Sequence, residues 1–204
     1  MVRFCTGAIR PICDCRLAAN RVNYGPLPAM TTNRGKQRVF ISTNDPSADV
    51  HCAGLIRALK DHGADIEFVG IGGPKMAAAG CELLEETVGK AAMTYKVLAH
   101  LGHFYRLIQR VKRYLQANPV DLVIVCDSPS FNTHIAKVAR KVGVKTLFYV
   151  APQLWAWGGW RIGKLRRRCD KLCCILPFEE EWFRQRGVDT IFVGNPLLDA
   201  LPDD

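Results

Sequence analysis

One apolar segment limits the possible folds more than any other feature of the chain. The seven residues from Val120 to Cys126 contain a single charged side chain, Asp121. A near-continuous apolar run of this kind is typical of a strand buried on both faces, as in parallel sheets covered by helices. Strand-like segments alternate with helical periodicities on both sides of it. The pattern predicts an α/β domain with a Rossmann-like parallel sheet, flanked by helices that form right-handed crossovers.

The predicted domain runs from residue 37 to residue 199. Residues 1–36 are predicted to be a disordered leader, or to include a start codon assigned too early with Met30 as the true start, because the first strand-like segment follows Met30 closely. Residues 200–204 are predicted to begin a crossing to a second domain, which this chain would lack. No apolar run approaches the ~20 residues that a membrane-spanning helix needs.

Two helices matter for the function. The helix after the first strand is predicted over residues 49–61, with Ser47 or Asp49 as its N-cap and Gly63 at its end. The longest helix is predicted over residues 92–117. Apolar side chains recur in it at spacings of three and four residues and form its predicted buried stripe: Val97, Leu101, Phe104, Ile108, Val111 and Leu115.

The net charge of +9 is unevenly distributed. Residues 1–41 hold seven Lys or Arg and one acid, Asp14, so the predicted domain itself is only mildly basic. This argues against a nucleic-acid partner, which requires a basic face on the folded domain. One basic run remains, which indicates either a solvated helix face or attraction to anionic lipid headgroups, worth roughly 1 kcal/mol per residue: Arg161, Lys164, Arg166, Arg167, Arg168 and Lys171.

The nine cysteines do not form a metal-binding pattern. None belongs to a Cys-x-x-Cys pair, and zinc sites use paired ligands at short spacing. Several lie in apolar strand-like runs. We therefore expect buried, reduced thiols in a cytoplasmic protein.

Three loops follow predicted strands at the edge where parallel sheets bind ligands. Asn44–Asp49 could hold an anion at a helix N-terminus, or be an ordinary capped turn. Asp127, in the loop Cys126–Asn132, could act as a general base, or only cap a helix. Val150–Trp160 contains three tryptophans, which suit sugar faces and membrane interfaces, or pack under a neighbouring loop.

The order and spacing of the motifs resemble lipid-A-disaccharide synthases from about residue 37 to residue 202. The matching segments are Asn44–Asp49, Ala53–Leu59, Gly72–Cys81, Cys126–Asn132, Pro152–Trp157, Leu176–Glu180 and Phe192–Pro196. The resemblance implies the N-terminal, acceptor-side domain of a GT-B glycosyltransferase. Such enzymes join UDP-2,3-diacylglucosamine to 2,3-diacylglucosamine 1-phosphate through a β-1,6 linkage and release UDP, in lipid A biosynthesis.

The resemblance also implies roles for individual residues. Asp127 takes the place of the base that activates the acceptor hydroxyl, and no metal or cofactor is expected. The enzyme is expected to be cytoplasmic and peripheral on the inner face of the inner membrane, which is anionic. Acceptor binding is predicted for Asp45, Ser47, Asp49, Asn132, Gln153, Trp155 and Trp157, and membrane contact for Met93, Tyr95, Leu98 and Tyr105.

The sequence departs from the family in the first loop and near its end. Asn44 and Ala48 replace two glycines, and Asn195 stands where the family usually has histidine. Because GT-B enzymes hold the nucleotide donor mainly in a second domain, the isolated chain is predicted not to complete the transfer. Two alternatives stay open: a lipid- or sugar-binding domain without turnover, and a GT-B-like enzyme such as a nucleotide-sugar epimerase. A nicotinamide dehydrogenase is disfavoured by the missing glycine fingerprint.

Overall fold

The computed structural model describes residues 36–88 and 97–196. The predicted leader up to residue 35 and the predicted crossing at residues 200–204 lie outside the described residues. So do Met93, Tyr95 and the side chain of Leu98, which were predicted to contact the membrane.

A seven-stranded sheet forms the centre of the described structure, and all of its pairings are parallel. The strand order is β3-β2-β1-β4-β5-β6-β7. This confirms the predicted Rossmann-like α/β class. The strands are β1 Gln37–Ser42, β2 Ile66–Gly72, β3 Glu82–Glu86, β4 Leu122–Cys126, β5 Lys145–Tyr149, β6 Lys171–Cys174 and β7 Thr190–Phe192.

Proline marks the start of four of the helices that connect these strands. Its fixed φ suits the first helical turn, where its missing N–H would have no helical partner anyway. These four are α1 Pro46–Asp61, α2 Pro74–Ala78, α4 Pro129–Lys141 and α6 Pro177–Arg184. The others are α3 Val97–Ala117 and α5 Ile162–Arg168, the latter preceded by a 3₁₀ turn at Gly159–Arg161.

The predicted start of α1 was wrong by three residues. The helix begins at Pro46 with Asp45 at the N-cap position, so Ser47 and Asp49 lie inside its first turn and neither caps this helix. The error comes from treating Pro46 as part of the loop, although proline is favoured at the first helical position. Gly63 has φ +72° just after the helix, as expected for its end.

Helices cover both faces of the sheet, and β4 is buried along its whole length. From α3, Leu107, Val111 and Leu115 are buried, whereas Phe104 and Ile108 are only half-buried at the margin of the core. Leu107 is absent from the predicted stripe. The six cysteines in the described part are buried, as expected.

The strand order places a topological switch point between β1 and β4. The chain leaves β1 towards β2 on one side and leaves β4 towards β5 on the other. The two outgoing loops, residues 43–45 and 127–128, therefore flank a crevice at the carboxyl edge of the sheet, where open α/β sheets bind ligands. In the described ranges, no helix combines the length and apolarity needed to cross a bilayer.

Candidate functional site

The two loops at the switch point are joined by a hydrogen bond between side chains. The Ser128 hydroxyl donates to an Asp45 carboxylate oxygen at 2.5 Å. Both side chains are half-buried. The bond fixes the position of the β1–α1 loop relative to the β4–α4 loop, so both loops contribute polar groups to one crevice.

Three non-glycine residues in the described part have left-handed backbone conformations, and all three lie at this edge of the sheet. Asp127 has φ 51° and Ser128 has φ 43° after β4, while Val150 has φ 64° after the neighbouring strand β5. Each such conformation costs of order 1–3 kcal/mol and persists only where the surroundings hold it. For a β-branched residue such as valine it is especially unfavourable. Strain of this kind clusters at ligand sites.

Asn132 holds the strained turn from beneath. Its Nδ2 donates to the carbonyl oxygens of Cys126 at 2.7 Å and Asp127 at 2.8 Å, and its Oδ1 accepts from the Ser42 hydroxyl at 2.7 Å. The side chain is completely buried. This amide is therefore enclosed in the wall behind the crevice and positions Asp127, and its contact with the acceptor stays a prediction.

The Asp127 carboxylate has a different environment. It is half-buried, and no described residue donates a hydrogen bond to its oxygens. Its charge acts on His51 of α1, whose pKa is lowered by burial and partly restored by Asp127. A carboxylate that is partly shielded from water and has unused acceptor positions can take a proton from a hydroxyl group in the crevice.

Asp49 was also predicted to bind the acceptor, and in the structure its side chain is occupied by backbone partners. Its side chain accepts hydrogen bonds from the amides of Gly73 at 3.0 Å, Lys75 at 3.0 Å and Met76 at 3.1 Å. It is 1% exposed. Both oxygens are thus used to satisfy the free N–H groups around the N-terminus of α2, which is a structural role. Ser47, in contrast, is exposed on the first turn of α1.

Asn44 was identified in the sequence as a departure from the family, and its side chain has unusual surroundings. The amide Oδ1 is buried, and no described residue donates to it. An acceptor in this state costs about 1–3 kcal/mol. Because Asn44 precedes Asp45 in the loop beside the crevice, we regard this oxygen as a candidate ligand contact that the sequence did not reveal.

The tryptophan loop after β5 has one anchored ring and two exposed rings. Trp155 Nε1 donates to Glu179 Oε1 at 2.9 Å, and its ring packs edge-on against Phe178 at 5.0 Å. Trp157 and Trp160 are 76% and 77% exposed. Gln153 is also exposed. Packing against the first turn of α6, rather than under a loop, therefore explains Trp155 in part and does not explain the other two rings.

Glu179 supports the tryptophan loop, and no role was predicted for it from the sequence. It is buried, and besides binding Trp155 it accepts the Leu176 amide at 3.2 Å. A signal was present in Leu176–Glu180, because a glutamate at the third position of a helix commonly reaches back to the residue that precedes the helix. Among the predicted membrane contacts, Tyr105 on α3 is 63% exposed.

The fold and the crevice define the class of the protein: a Rossmann-like α/β domain of the GT-B type. A solved structure supports this class. It is a Listeria monocytogenes protein assigned as a UDP-N-acetylglucosamine 2-epimerase, which matches with a TM-score of 0.58 over 83% of this chain and 48% of its own length. The two sequences are only 14% identical, so the likeness concerns the fold alone.

The chain belongs to the lipid-A-disaccharide synthetase family, whose model matches residues 39–204. The lipid-A-disaccharide synthase of Trichlorobacter lovleyi is 41% identical over 173 residues, which cover 84% of this chain and 45% of that protein. The synthase of Geobacter metallireducens is 40% identical over 166 residues, covering 81% and 43% respectively. The chain thus spans less than half the length of these relatives.

Proposed function

We propose that this chain is the acceptor-side domain of a hexosyltransferase of lipid A biosynthesis. The reaction transfers 2,3-diacylglucosamine from UDP to 2,3-diacylglucosamine 1-phosphate and forms a β-1,6 linkage. In GT-B enzymes the nucleotide sugar is held mainly by a second domain. The domain formed by the described residues therefore supplies the surface that binds the acceptor and the general base that activates its hydroxyl.

The observation that carries this proposal is the open carboxylate of Asp127. It lies at the switch point on a strained backbone, no described group donates to it, and Asn132 holds the turn from below. A residue needed only as a helix cap would use its oxygens on the first turn of α4, and no side-chain cap of α4 is present. Membership of a family whose relatives are named lipid-A-disaccharide synthases supports the proposal.

In the proposed mechanism, Asp127 acts as general base. The carboxylate accepts the proton of the acceptor's 6-hydroxyl as that oxygen attacks the anomeric carbon of the donor sugar. The bond between the anomeric carbon and the UDP oxygen breaks, and UDP leaves with the electron pair. A positioned base typically accelerates such a step by about 10²–10⁴-fold.

The same proposal includes a position on the cytoplasmic face of the inner membrane. Tyr105, Trp157 and Trp160 are exposed aromatic side chains, and aromatic rings of this kind favour the membrane–water interface. Sedimentation of the chain with anionic vesicles tests this part. The proposal predicts binding to vesicles that contain phosphatidylglycerol, weaker binding after Trp157→Ala/Trp160→Ala, and release at high salt.

The catalytic role can be tested in a chimera. Residues 37–196 replace the matching segment of the Trichlorobacter lovleyi synthase, whose 41% identity favours a compatible domain interface. The chimera is expected to form disaccharide and UDP from the two substrates. Asp127→Asn is expected to lower the rate by about 10²–10⁴-fold, with an unchanged unfolding midpoint.

Asp61→Asn serves as the matched control, since it removes an exposed carboxylate at the far end of α1. A near-normal rate for Asp127→Asn would exclude this residue as the base. A folded chimera that binds 2,3-diacylglucosamine 1-phosphate without forming disaccharide would instead support a binding domain without turnover. Disaccharide synthesis by the isolated 204-residue chain would contradict the assignment of the donor to another domain.

A further inference from the structure

A small cavity lies beside the crevice, between α4, the tryptophan loop and α5. Its volume is about 210 Å³. This is below the roughly 300 Å³ at which ordinary small-molecule pockets begin, so the cavity suits a single polar group rather than a whole acylated sugar. The residues of its wall that matter below are Pro129, Ser130, His134, Arg161, Lys164 and Arg168.

The wall of the cavity is cationic and contains no acid. Arg161, Lys164 and Arg168 contribute three positive charges, and neither Asp nor Glu lines the space. The surrounding sequence shows the same bias, because residues 128–169 contain nine Lys or Arg and not one Asp or Glu. The mildly basic charge of the whole domain therefore hides a strong local concentration of positive charge around this cavity.

Internal contacts position these cations without neutralising them. Arg168 Nη1 donates to the Thr133 carbonyl at 3.1 Å, which holds the guanidinium in the wall. The Arg161 guanidinium lies 5.4 Å from the centre of the Trp160 ring. No acidic partner within the described residues pairs with Lys164. The arrangement is that of an anion site rather than of an ion-pair network.

The pKa of His134 is sensitive to the positive charges around the cavity. Its pKa is lowered, first by burial and then by the charges of Arg168, Lys137 and Lys164. Its ring packs edge-on against Phe104 of α3. An anion placed among these cations would offset their effect and raise the pKa of His134.

We propose that this cavity binds the phosphate group of the acceptor sugar. The inference rests on the proposed function and names the part of the acceptor that the domain grips. Pro129 and Ser130, the first residues of α4, belong to the cavity wall and directly follow Asp127 and Ser128, so the phosphate site and the base are adjacent in the chain. A sugar whose phosphate on C1 occupies the cavity extends its C6 side, which carries the reacting hydroxyl, towards the crevice. A phosphate monoester carries close to two negative charges at neutral pH and suits a wall of three cations.

Titration of the 204-residue chain with glucosamine 1-phosphate tests the proposal, with glucosamine as the probe that lacks the phosphate. Calorimetry measures the affinity, and an NMR titration measures the pKa of the His134 ring. The wild-type chain is expected to bind glucosamine 1-phosphate, and the bound phosphate is expected to raise the pKa of His134. Glucosamine is expected to bind much more weakly. Arg161→Gln/Lys164→Gln is expected to weaken binding by about tenfold or more, because both changes remove charge-assisted contacts.

Arg166→Gln/Arg167→Gln is the matched control. It removes the same charge from α5 at two exposed positions outside the cavity wall, so the affinity is expected to stay within about twofold of wild type. Equal losses in both double variants would overturn the proposal in favour of general attraction by the basic surface. Equal binding of glucosamine and glucosamine 1-phosphate would overturn it as well.

A lipid headgroup is the other source of phosphate, and vesicles distinguish it. If Arg161→Gln/Lys164→Gln abolishes binding to phosphatidylglycerol vesicles while glucosamine 1-phosphate binds as before, the cavity serves lipid and the proposal fails. The assays also separate this inference from the proposed reaction. If the chain binds phosphate through the cavity but the chimera forms no disaccharide, the phosphate site is supported and the proposed reaction is contradicted. If the chimera forms disaccharide but the chain does not bind phosphate through the cavity, only the phosphate site is contradicted.

Discussion

Asp49, in the first turn of α1, and Asp127, in the loop after β4, are carboxylates on either side of one switch point, and their surroundings differ. Asp49 is fully buried and accepts three backbone amides, all from the segment that starts α2. Asp127 is half-buried on a left-handed backbone, and no described donor reaches its oxygens. One carboxylate has its acceptor capacity used by the fold, whereas the other keeps it available for a ligand.

This difference teaches how structural and functional acids can be separated at a ligand edge. Both aspartates follow strands of a parallel sheet, and both belong to motifs that resemble the same family. Only the hydrogen-bond partners and the backbone conformation distinguish them. If the distinction is correct, substitution of Asp49 should reduce stability, and substitution of Asp127 should leave stability intact or increase it.

The largest stability effect is expected for Asp49→Ala. Three buried or half-buried amides lose their acceptor, and each unsatisfied group costs about 1–3 kcal/mol, so the free energy of unfolding should fall by about 3 kcal/mol or more. For a chain of this size that lowers Tm by roughly 6–12 °C. Urea unfolding of the 204-residue chain measures it, with Asp127→Ala as the comparison. A loss for Asp49→Ala no larger than that for Asp127→Ala would end the distinction between the two acids.

A smaller loss is expected for Asn132→Leu, which removes the support beneath Asp127. The carbonyl oxygens of Cys126 and Asp127 and the Ser42 hydroxyl lose their partner in a buried place, at a cost of about 2 kcal/mol. Ser42→Ala removes one of these bonds and leaves both amide donations, so about 1 kcal/mol is expected. Comparable losses for the two variants would mean that the amide does not hold the turn.

The sequence predicted the sheet well because apolar strands and alternating helices are local signals of a parallel fold. It also predicted the loop that carries Asp127, because the carboxyl ends of such strands form the ligand edge. It could not assign Asp49, whose partners begin with the distant Gly73, or Asn132, whose amide joins the nearby turn to the distant Ser42. The cavity by α5 was missed for the same reason: its cations are visible in the sequence, but the wall that α4 and residues 152–154 complete is not.

Asp127→Gly should stabilise the chain. Glycine adopts positive φ without the steric cost that other residues have there, about 1–2 kcal/mol, so unfolding should require about 1 kcal/mol more than in wild type. Asp45→Gly is the control with the opposite sign. Asp45 has φ −108°, which needs no glycine, and it accepts the Ser128 hydroxyl, so that variant should lose about 1 kcal/mol. Urea unfolding distinguishes the two, and destabilisation by Asp127→Gly would show that the backbone there is not strained.

The smallest effect concerns the pKa of His51, on which the charge of the Asp127 carboxylate acts. Burial lowers its pKa below the ordinary 6.5, and the Asp127 charge opposes that shift. The folded state therefore prefers the neutral imidazole. The stability that this preference contributes is complete above pH 6.5 and is lost as the pH falls from 6.5 through the folded pKa. Asp127→Asn removes the opposing charge, so the pKa of His51 should fall further and the acid-side loss should extend to lower pH.

NMR titration of the His51 ring gives this pKa directly in wild type, Asp127→Asn and Asp61→Asn. Asp61 is an exposed acid at the opposite end of α1, so its removal should leave the His51 pKa close to the wild-type value. An unchanged or higher pKa in Asp127→Asn would show that the carboxylate does not act on the α1 side of the crevice. The proposed role of Asp127 as a base would then be contradicted, because an acid turned away from the crevice cannot take a proton from a sugar bound there.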